Sequence, residues 1–275
     1  MSDPIIKAIS AVGECFPFKG FSKYVDGVYR TIAETVMYYL PKDGRILDFG
    51  CGTCDKIAIL SSLGYQCTGC DDFGDPWYRA ESNRVRFWNF VKRFGLDVKV
   101  LIQGCRLQFD DNFFDMVMLH DVLEDLHASP RSLMIELLRT LRPGGYVFVT
   151  VPNAANIRKR LDLLRGRTNM QSFELFFWAP GPWRGHVREY VRIDCELLCR
   201  YLDLRIRELR TCHHMLSRVP AQIRPLYMLA TRLFPDWRDS WLMVAQKPTE
   251  WKAPSLTEEE AQRILGPFGW DVEVG

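Results

Sequence analysis

The run Arg45-Ile46-Leu47-Asp48-Phe49, followed at once by Gly50-Cys51-Gly52, constrains this chain more than any other feature. A short apolar segment bounded by a turn reads as a strand buried on both faces. The glycines let backbone amides approach a ligand where any Cβ would clash. A helix predicted over 56–63 follows, stops at Gly64, and presents its N-terminal amides to the same place. Nineteen positions beyond Gly52, a second strand predicted over 65–70 ends in Cys70-Asp71-Asp72. Ligands of open parallel sheets bind beyond the carboxyl ends of the strands. An acidic side chain at the second strand end can accept hydrogen bonds from both hydroxyls of a ribose.

The alternation of strand and helix continues. A helix over 22–40 carries Val25, Val28, Tyr29, Ile32, Val36, Met37 and Leu40 at helical spacing. Beyond the second strand come a helix over 78–94, a third strand over 98–102 and a fourth over 114–119. A helix over 130–141, closed by Pro143-Gly144-Gly145, leads to a fifth strand over 146–151. Such alternation argues for a parallel sheet with helices on both faces. Further strands are expected near 204–209 and 241–245, with a helix at 193–201 between the fifth strand and these. A tail helix opens on the capping box Ser255-x-x-Glu258.

The turn discriminates between nucleoside cofactors. A dinucleotide turn needs a third glycine where this chain has Asp55. Asp48 at the strand end repels a pyrophosphate and suits a cationic sulfonium or ammonium. That charge logic favours S-adenosylmethionine over a dinucleotide.

Bulk composition excludes more than it selects. With 275 residues, 47% of them hydrophobic, the chain can bury one sizeable core. A net charge of +2 and a charged fraction of 25% give no sign of a nucleic-acid partner. Nine cysteines, an odd number scattered through core strands, read as reduced thiols in a cytoplasmic protein. The start Met1-Ser2-Asp3-Pro4 lacks the basic and apolar regions of a signal peptide. No apolar run reaches the roughly 20 residues of a membrane span. A soluble protein is expected, with peripheral contact at an inner membrane surface kept open.

Leu47-Asp48-Phe49-Gly50-Cys51-Gly52-Thr53 resembles the first motif of class I S-adenosylmethionine-dependent methyltransferases. Phe113 to Val117 and His120 to Leu126 resemble their fourth-strand region. Leu141-Arg142-Pro143-Gly144-Gly145 and Val151-Pro152-Asn153 resemble the closing turn and fifth strand. The resemblance runs from about residue 22 to 247. It implies a Rossmann-like, doubly wound, seven-stranded and mostly parallel α/β sheet, with a helical N-terminal cap and substrate-cover insertions after the fifth strand. The implied organisation is one domain over 1–247, with the cap at 1–40, insertions at 154–200 and 211–236, and a tail at 248–275. By position, Asp48, Phe49, Gly50, Cys51 and Gly52 line the methionine part of S-adenosylmethionine. Asp71 holds the ribose, with Asp72 or Phe73 beside the adenine. Gln103, Gly104 and Cys105 meet the adenine edge, and His120 lies near the amino-acid end. The chain departs from the motif at Cys54, which replaces the third glycine. It also lacks an acidic residue at 103–107 and has Asp125 where the family often has histidine.

Other signals read blandly. Cys51-x-x-Cys54 and Cys67-x-x-Cys70 have zinc-like spacing. Cys67, however, sits about 10 Å below its strand end at about 3.3 Å per residue, so buried thiols are expected and no metal. Asp75-Pro76-Trp77 is predicted as a turn, and Cys212-His213-His214 as an exposed loop. Leu226, Tyr227, Leu229, Ala230, Leu233 and Phe234 form an apolar face, expected to pack in the core or a dimer, with a membrane interface as the alternative. Across 156–210, twelve basic residues face seven acidic ones, which suits a solvated face or an anionic substrate or membrane surface. Gly185-His186-Val187-Arg188-Glu189-Tyr190 resembles a segment that bacterial glycan and quinone O-methyltransferases place over the active site. The expected reaction is transfer of a methyl group to a hydroxyl of a sugar, a lipid-linked glycan or another small metabolite. His186 or His120 is the expected base, with Asp121 and Asp125 as alternatives. Transfer to nitrogen or carbon, or a non-catalytic scaffold, are the competing readings.

Overall fold

The computed structural model describes residues 3–18, 27–101 and 106–268. Strands β1 (Arg45–Phe49), β2 (Gln66–Asp71), β3 (Asp97–Val100), β4 (Phe114–His120), β5 (Leu141–Pro152), β6 (Arg205–Cys212) and β7 (Ser240–Gln246) form one sheet of order β3-β2-β1-β4-β5-β7-β6. Only β7 runs antiparallel to its neighbours. The chain builds outward from β1 to β3, then crosses to β4 on the other side of β1. That reversal opens a crevice beyond the ends of β1 and β4.

Alternate side chains of each central strand enter opposite cores. Ile46, Met116, Met118 and Phe148 pack under helices α1 (Pro4–Cys15), α2 (Val28–Tyr39), α3 (Asp55–Ser62) and α4 (Glu81–Arg93). Leu47, Val117, Leu119, Val147 and Val149 pack against α5 (Pro130–Thr140) and α8 (Arg192–Tyr201), with α6 (Ile157–Leu164) and α7 (Phe173–Phe177) between β5 and α8 in sequence. A last pair of helices, α9 (Arg224–Leu233) and α10 (Glu258–Leu265), lies before β7 and in the tail. Among the described residues no helix is long and apolar enough to cross a membrane.

Several boundaries move for identifiable reasons. The helix expected over 22–40 is described from Val28, behind Gly27 with φ of 73°; residues 22–26, with Val25, lie outside the described residues. Pro143-Gly144-Gly145 falls inside β5, where a register shift opposite Phe114 and Met116 absorbs it. Gly145 is needed there, because a Cβ would come within 2.9 Å of the carbonyl oxygens of Arg142 and Asp115. The tail helix is capped by Thr257 and Glu260 rather than by Ser255 and Glu258. Thr257 Oγ1 accepts from Glu260 N at 3.2 Å, and Glu260 Oε2 accepts from Thr257 N at 3.1 Å.

Lys247, just past β7, is buried and ties the sheet to α5. Its Nζ donates to the carbonyls of Leu138 at 2.7 Å and Leu141 at 2.6 Å, at the helix C-terminus where carbonyls lack partners. Replacing it with methionine keeps the volume and strands those acceptors. Lys247→Met is expected to cost about 2 kcal/mol and to lower Tm by about 4–8 °C, read by thermal melting.

Candidate active site

Asp48 sits one residue from the end of β1 and is fully buried. Among the described residues neither carboxylate oxygen has a hydrogen-bond partner. Burial pushes its pKa up to about 7; Lys56 opposes the rise, while Asp55 and Asp71 add to it. Burial also disfavours the charge on Lys56, yet Asp48, Asp55 and Asp121 together hold its pKa above the ordinary value. Gly50 and Gly52 then turn the chain with φ of 71° and 50°. A Cβ on Gly50 would lie 2.5 Å from Val122 Cγ2, whereas beside Gly52 nothing stands within 4 Å. Cys54 caps α3 in the left-handed region, φ 60°, a conformation glycine adopts more cheaply. Asp55, in the first turn of α3, accepts a hydrogen bond from the Tyr29 hydroxyl.

The end of β2 closes the cradle. Asp71 accepts from Gly52 N at 2.9 Å and from Phe73 N at 2.8 Å, which holds the two strand-end loops together. Two lone pairs satisfied by backbone leave further acceptor capacity on the carboxylate. Phe73, at φ 48°, packs edge-on to Tyr78, whose hydroxyl donates to Gly52 O at 2.7 Å. Asp72 is taken up differently. Both of its oxygens accept from Arg184 Nη2, at 2.8 and 3.0 Å, and Arg184 Nε reaches Asp75 at 3.3 Å. Arg184 thereby ties the segment after α7 to the end of β2. Gln103, Gly104 and Cys105 lie outside the described residues.

Beyond β4 the histidines and acids fall into two groups. His120 is buried, with Nδ1 3.0 Å from Thr150 Oγ1 and its ring edge-on to Phe148. Asp121 follows at φ 58°, its Oδ2 3.3 Å from His214 Nε2. The second group joins the turn after β4 to the segment 185–190. The Glu124 carbonyl accepts from Val187 N at 2.6 Å and Arg188 N at 3.0 Å. This places His186 with Nδ1 2.8 Å from Glu189 Oε1 and Nε2 4.0 Å from Glu124 Oε1. Glu189 also pairs with Lys159 of α6, a largely buried ammonium. Desolvation lowers the Lys159 pKa to about 8, with Arg158 adding to the fall and Glu124 opposing it. Burial, with Asp121 and Asp75, raises Asp125 to about 7 against the pull of Arg184 and His127.

Residues 47–149 match the family model described as a methyltransferase domain. An uncharacterized methyltransferase of Schizosaccharomyces pombe is 29% identical over 154 residues, 45% of this chain and 50% of that protein. A demethylmenaquinone methyltransferase of Clavibacter sepedonicus is 30% identical over 122 residues, 43% of this chain and 46% of that protein. The chain thus spans about half the length of the curated relatives it matches. An S-adenosylmethionine-dependent methyltransferase of Methanosarcina mazei superposes with a TM-score of 0.52 at 22% identity, covering 78% of this chain and 98% of that one. Over residues 47–149 the chain is therefore similar to methyltransferase domains.

S-adenosylmethionine is the cofactor of this domain's family, and the residues present fit it. A buried carboxylate without a hydrogen-bond partner suits a cation, and the open side of Gly52 admits a ligand against the backbone. Asp71, with unused acceptor capacity, suits a diol. Phe49 and Cys51 flank Gly50, and Cys51, wholly buried, shares a thiol hydrogen bond with Cys54 at 3.5 Å.

Five residues that the structure places in these clusters were not singled out as site residues by sequence. Lys159, Arg184 and His214 act through partners distant in the chain, Lys56 faces Asp48, Asp55 and Asp121, and Glu189 pairs with both Lys159 and His186. Its spacing of three from His186 was a visible signal. One reading is overturned outright: 212–214 is no exposed loop. Cys212 ends β6, and His214 is buried because Asp239 accepts from His214 N at 2.6 Å and Met215 N at 2.8 Å.

A bound sulfonium or ammonium near Asp48 favours the carboxylate, so a proton must leave before the cation enters. Between pH 5 and 7, S-adenosylmethionine affinity is expected to rise by up to about tenfold per pH unit, levelling near pH 7. Calorimetric titration across that range checks it, and Asp48→Asn should flatten the profile and weaken binding.

Proposed function

We propose that the chain transfers a methyl group from S-adenosylmethionine to a hydroxyl of a sugar, a lipid-linked glycan or another small, anionic metabolite. His186 is the base. The observation that carries this reading is the pairing of His186 with Glu189 under the turn that follows β4. A base held by a carboxylate at one nitrogen has a fixed ring and a defined tautomer.

When bound, S-adenosylmethionine supplies an electrophilic methyl group whose bond to sulfur breaks with the electron pair retained on sulfur. The chain's own residues do the rest. Glu189, 2.8 Å from Nδ1, orients the His186 ring, and His186 takes the acceptor hydroxyl's proton as its oxygen bonds to carbon. Lys159 balances the Glu189 charge, so the carboxylate orients the ring without an uncompensated buried anion. Arg184 holds the cover segment to Asp72 and Asp75 beside the cofactor cradle. Asp125, with a raised pKa, and Asp121, paired with His214, are the alternative proton acceptors. The excess of basic residues over 156–210 favours an anionic acceptor.

A second reading is transfer to nitrogen or carbon, and the likeness to a demethylmenaquinone methyltransferase makes a demethylmenaquinone-like molecule a candidate acceptor. The linkage of the methylated product separates the two. The cofactor half is tested by calorimetry with S-adenosylmethionine, S-adenosylhomocysteine and NAD. Micromolar binding of the first two, lost in Asp71→Ala and absent for NAD, is expected; no binding of either sulfur compound overturns it. Once an acceptor is in hand, His186→Ala should lower kcat by about 10²- to 10³-fold without changing cofactor affinity. Glu189→Gln should lower it by about tenfold. Full turnover in His186→Ala at saturating acceptor would mean that another group is the base.

A further inference from the structure

Helices α6, α7 and α9 carry large apolar side chains that the fold does not cover. Leu164 of α6 is 83% exposed, and Phe177 of α7 and its neighbour Trp178 are 62% and 74% exposed. On α9, Leu226, Leu229 and Leu233 form one helical face and are each more than half exposed. The core or dimer packing expected for this face is not provided by the chain's own core. Both segments leave the sheet at one edge: Pro152 of β5 and Cys212 of β6 each pair with Ser240 of β7. His120 pairs with Thr150 just behind Pro152, so this is the edge where the cofactor cradle and the His186 group lie.

Charge complements these apolar faces. Arg158, Arg160, Arg165 and Arg167 in and after α6 are exposed, and among the described residues none forms an ion pair. The arginines elsewhere that face carboxylates, such as Arg139, Arg184 and Arg192, are paired. Exposed leucines and aromatics beside unpaired guanidiniums suit an interface with an apolar interior and anionic headgroups, into which arginine stems can extend.

We propose that α6, α7 and α9 dock the chain on an anionic lipid bilayer, with the mouth of the site turned toward the membrane surface. The docking does not depend on the methyl-transfer reading. It places the acceptor pool at the membrane only if that reading also holds.

Sedimentation with vesicles of phosphatidylcholine alone, and of phosphatidylcholine mixed with phosphatidylglycerol, tests the docking. The full chain should bind the mixed vesicles, weakly or not at all the neutral ones, and lose binding at high salt. Leu164→Glu with Phe177→Glu, and separately Arg165→Glu with Arg167→Glu, should each weaken binding by at least about tenfold, with thermal melting unchanged. Absence of binding to mixed vesicles overturns the proposal, as does binding that both variants retain. A dimer in solution that the leucine and phenylalanine substitutions dissolve, without vesicle binding, would assign the surface to a second copy instead. Vesicle binding needs no cofactor or acceptor. Its failure therefore leaves methyl transfer standing, and failure of cofactor binding leaves the docking standing.

Discussion

Burying a carboxylate without a hydrogen bond costs free energy, and much of this site is arranged around that cost at Asp48. The residue lies on β1, between β2 and β4, where the parallel sheet reverses its direction of growth. Apolar packing on both faces of β1 keeps water out. Lys56 answers the charge electrostatically from the first turn of α3, but among the described residues nothing hydrogen-bonds the carboxylate oxygens. The sheet therefore holds a partly compensated anion next to a glycine turn that leaves backbone amides accessible. Such an arrangement is unfavourable for stability and favourable for a cationic ligand, the usual compromise of a binding site.

A second constraint is the clasp between the sheet edge and the insertion that follows β5. Arg184 grips Asp72 and Asp75, the Trp183 carbonyl lies 2.8 Å from His127 Nε2, and the Glu124 carbonyl takes the amides of Val187 and Arg188. These contacts come from loops after β2 and β4 and meet on one short segment. They bring His186 to 4.0 Å from Glu124, so the cofactor cradle and the His186–Glu189 pair share one scaffold. The same insertion is polar and clasped inward, and apolar with unpaired arginines outward. One segment thus serves the chemistry on one side and faces the surroundings on the other.

The cradle was legible in the sequence because its parts are local. Asp48, Gly50, Gly52 and Asp71 each lie at a strand end, and apolar runs with turn residues mark strand ends by themselves. His186 was singled out through a short segment, and Glu189, which the structure pairs with it, lies three residues later in the same segment. Lys56, Arg184, Lys159 and His214 were not singled out. Each is an ordinary charged or polar residue in the sequence, and each acquires its role from a partner supplied by another element. The run 212–214 failed for the same reason. Its polarity suggested solvent, while the Asp239 carboxylate that buries it lies twenty-five residues away at His214.

Sequence by itself determined the strand–turn–helix alternation, the acidic strand ends and the glycine turn. These depend on periodicity, backbone freedom and charge within a few residues. Tertiary structure alone decided which charges are compensated and which surfaces stay bare. It pairs His186 with Glu189 and Glu124, latches Arg184 to Asp72, and leaves α6, α7 and α9 uncovered. Pairing and coverage depend on which distant elements the sheet order brings to one edge, and no local pattern encodes that distance.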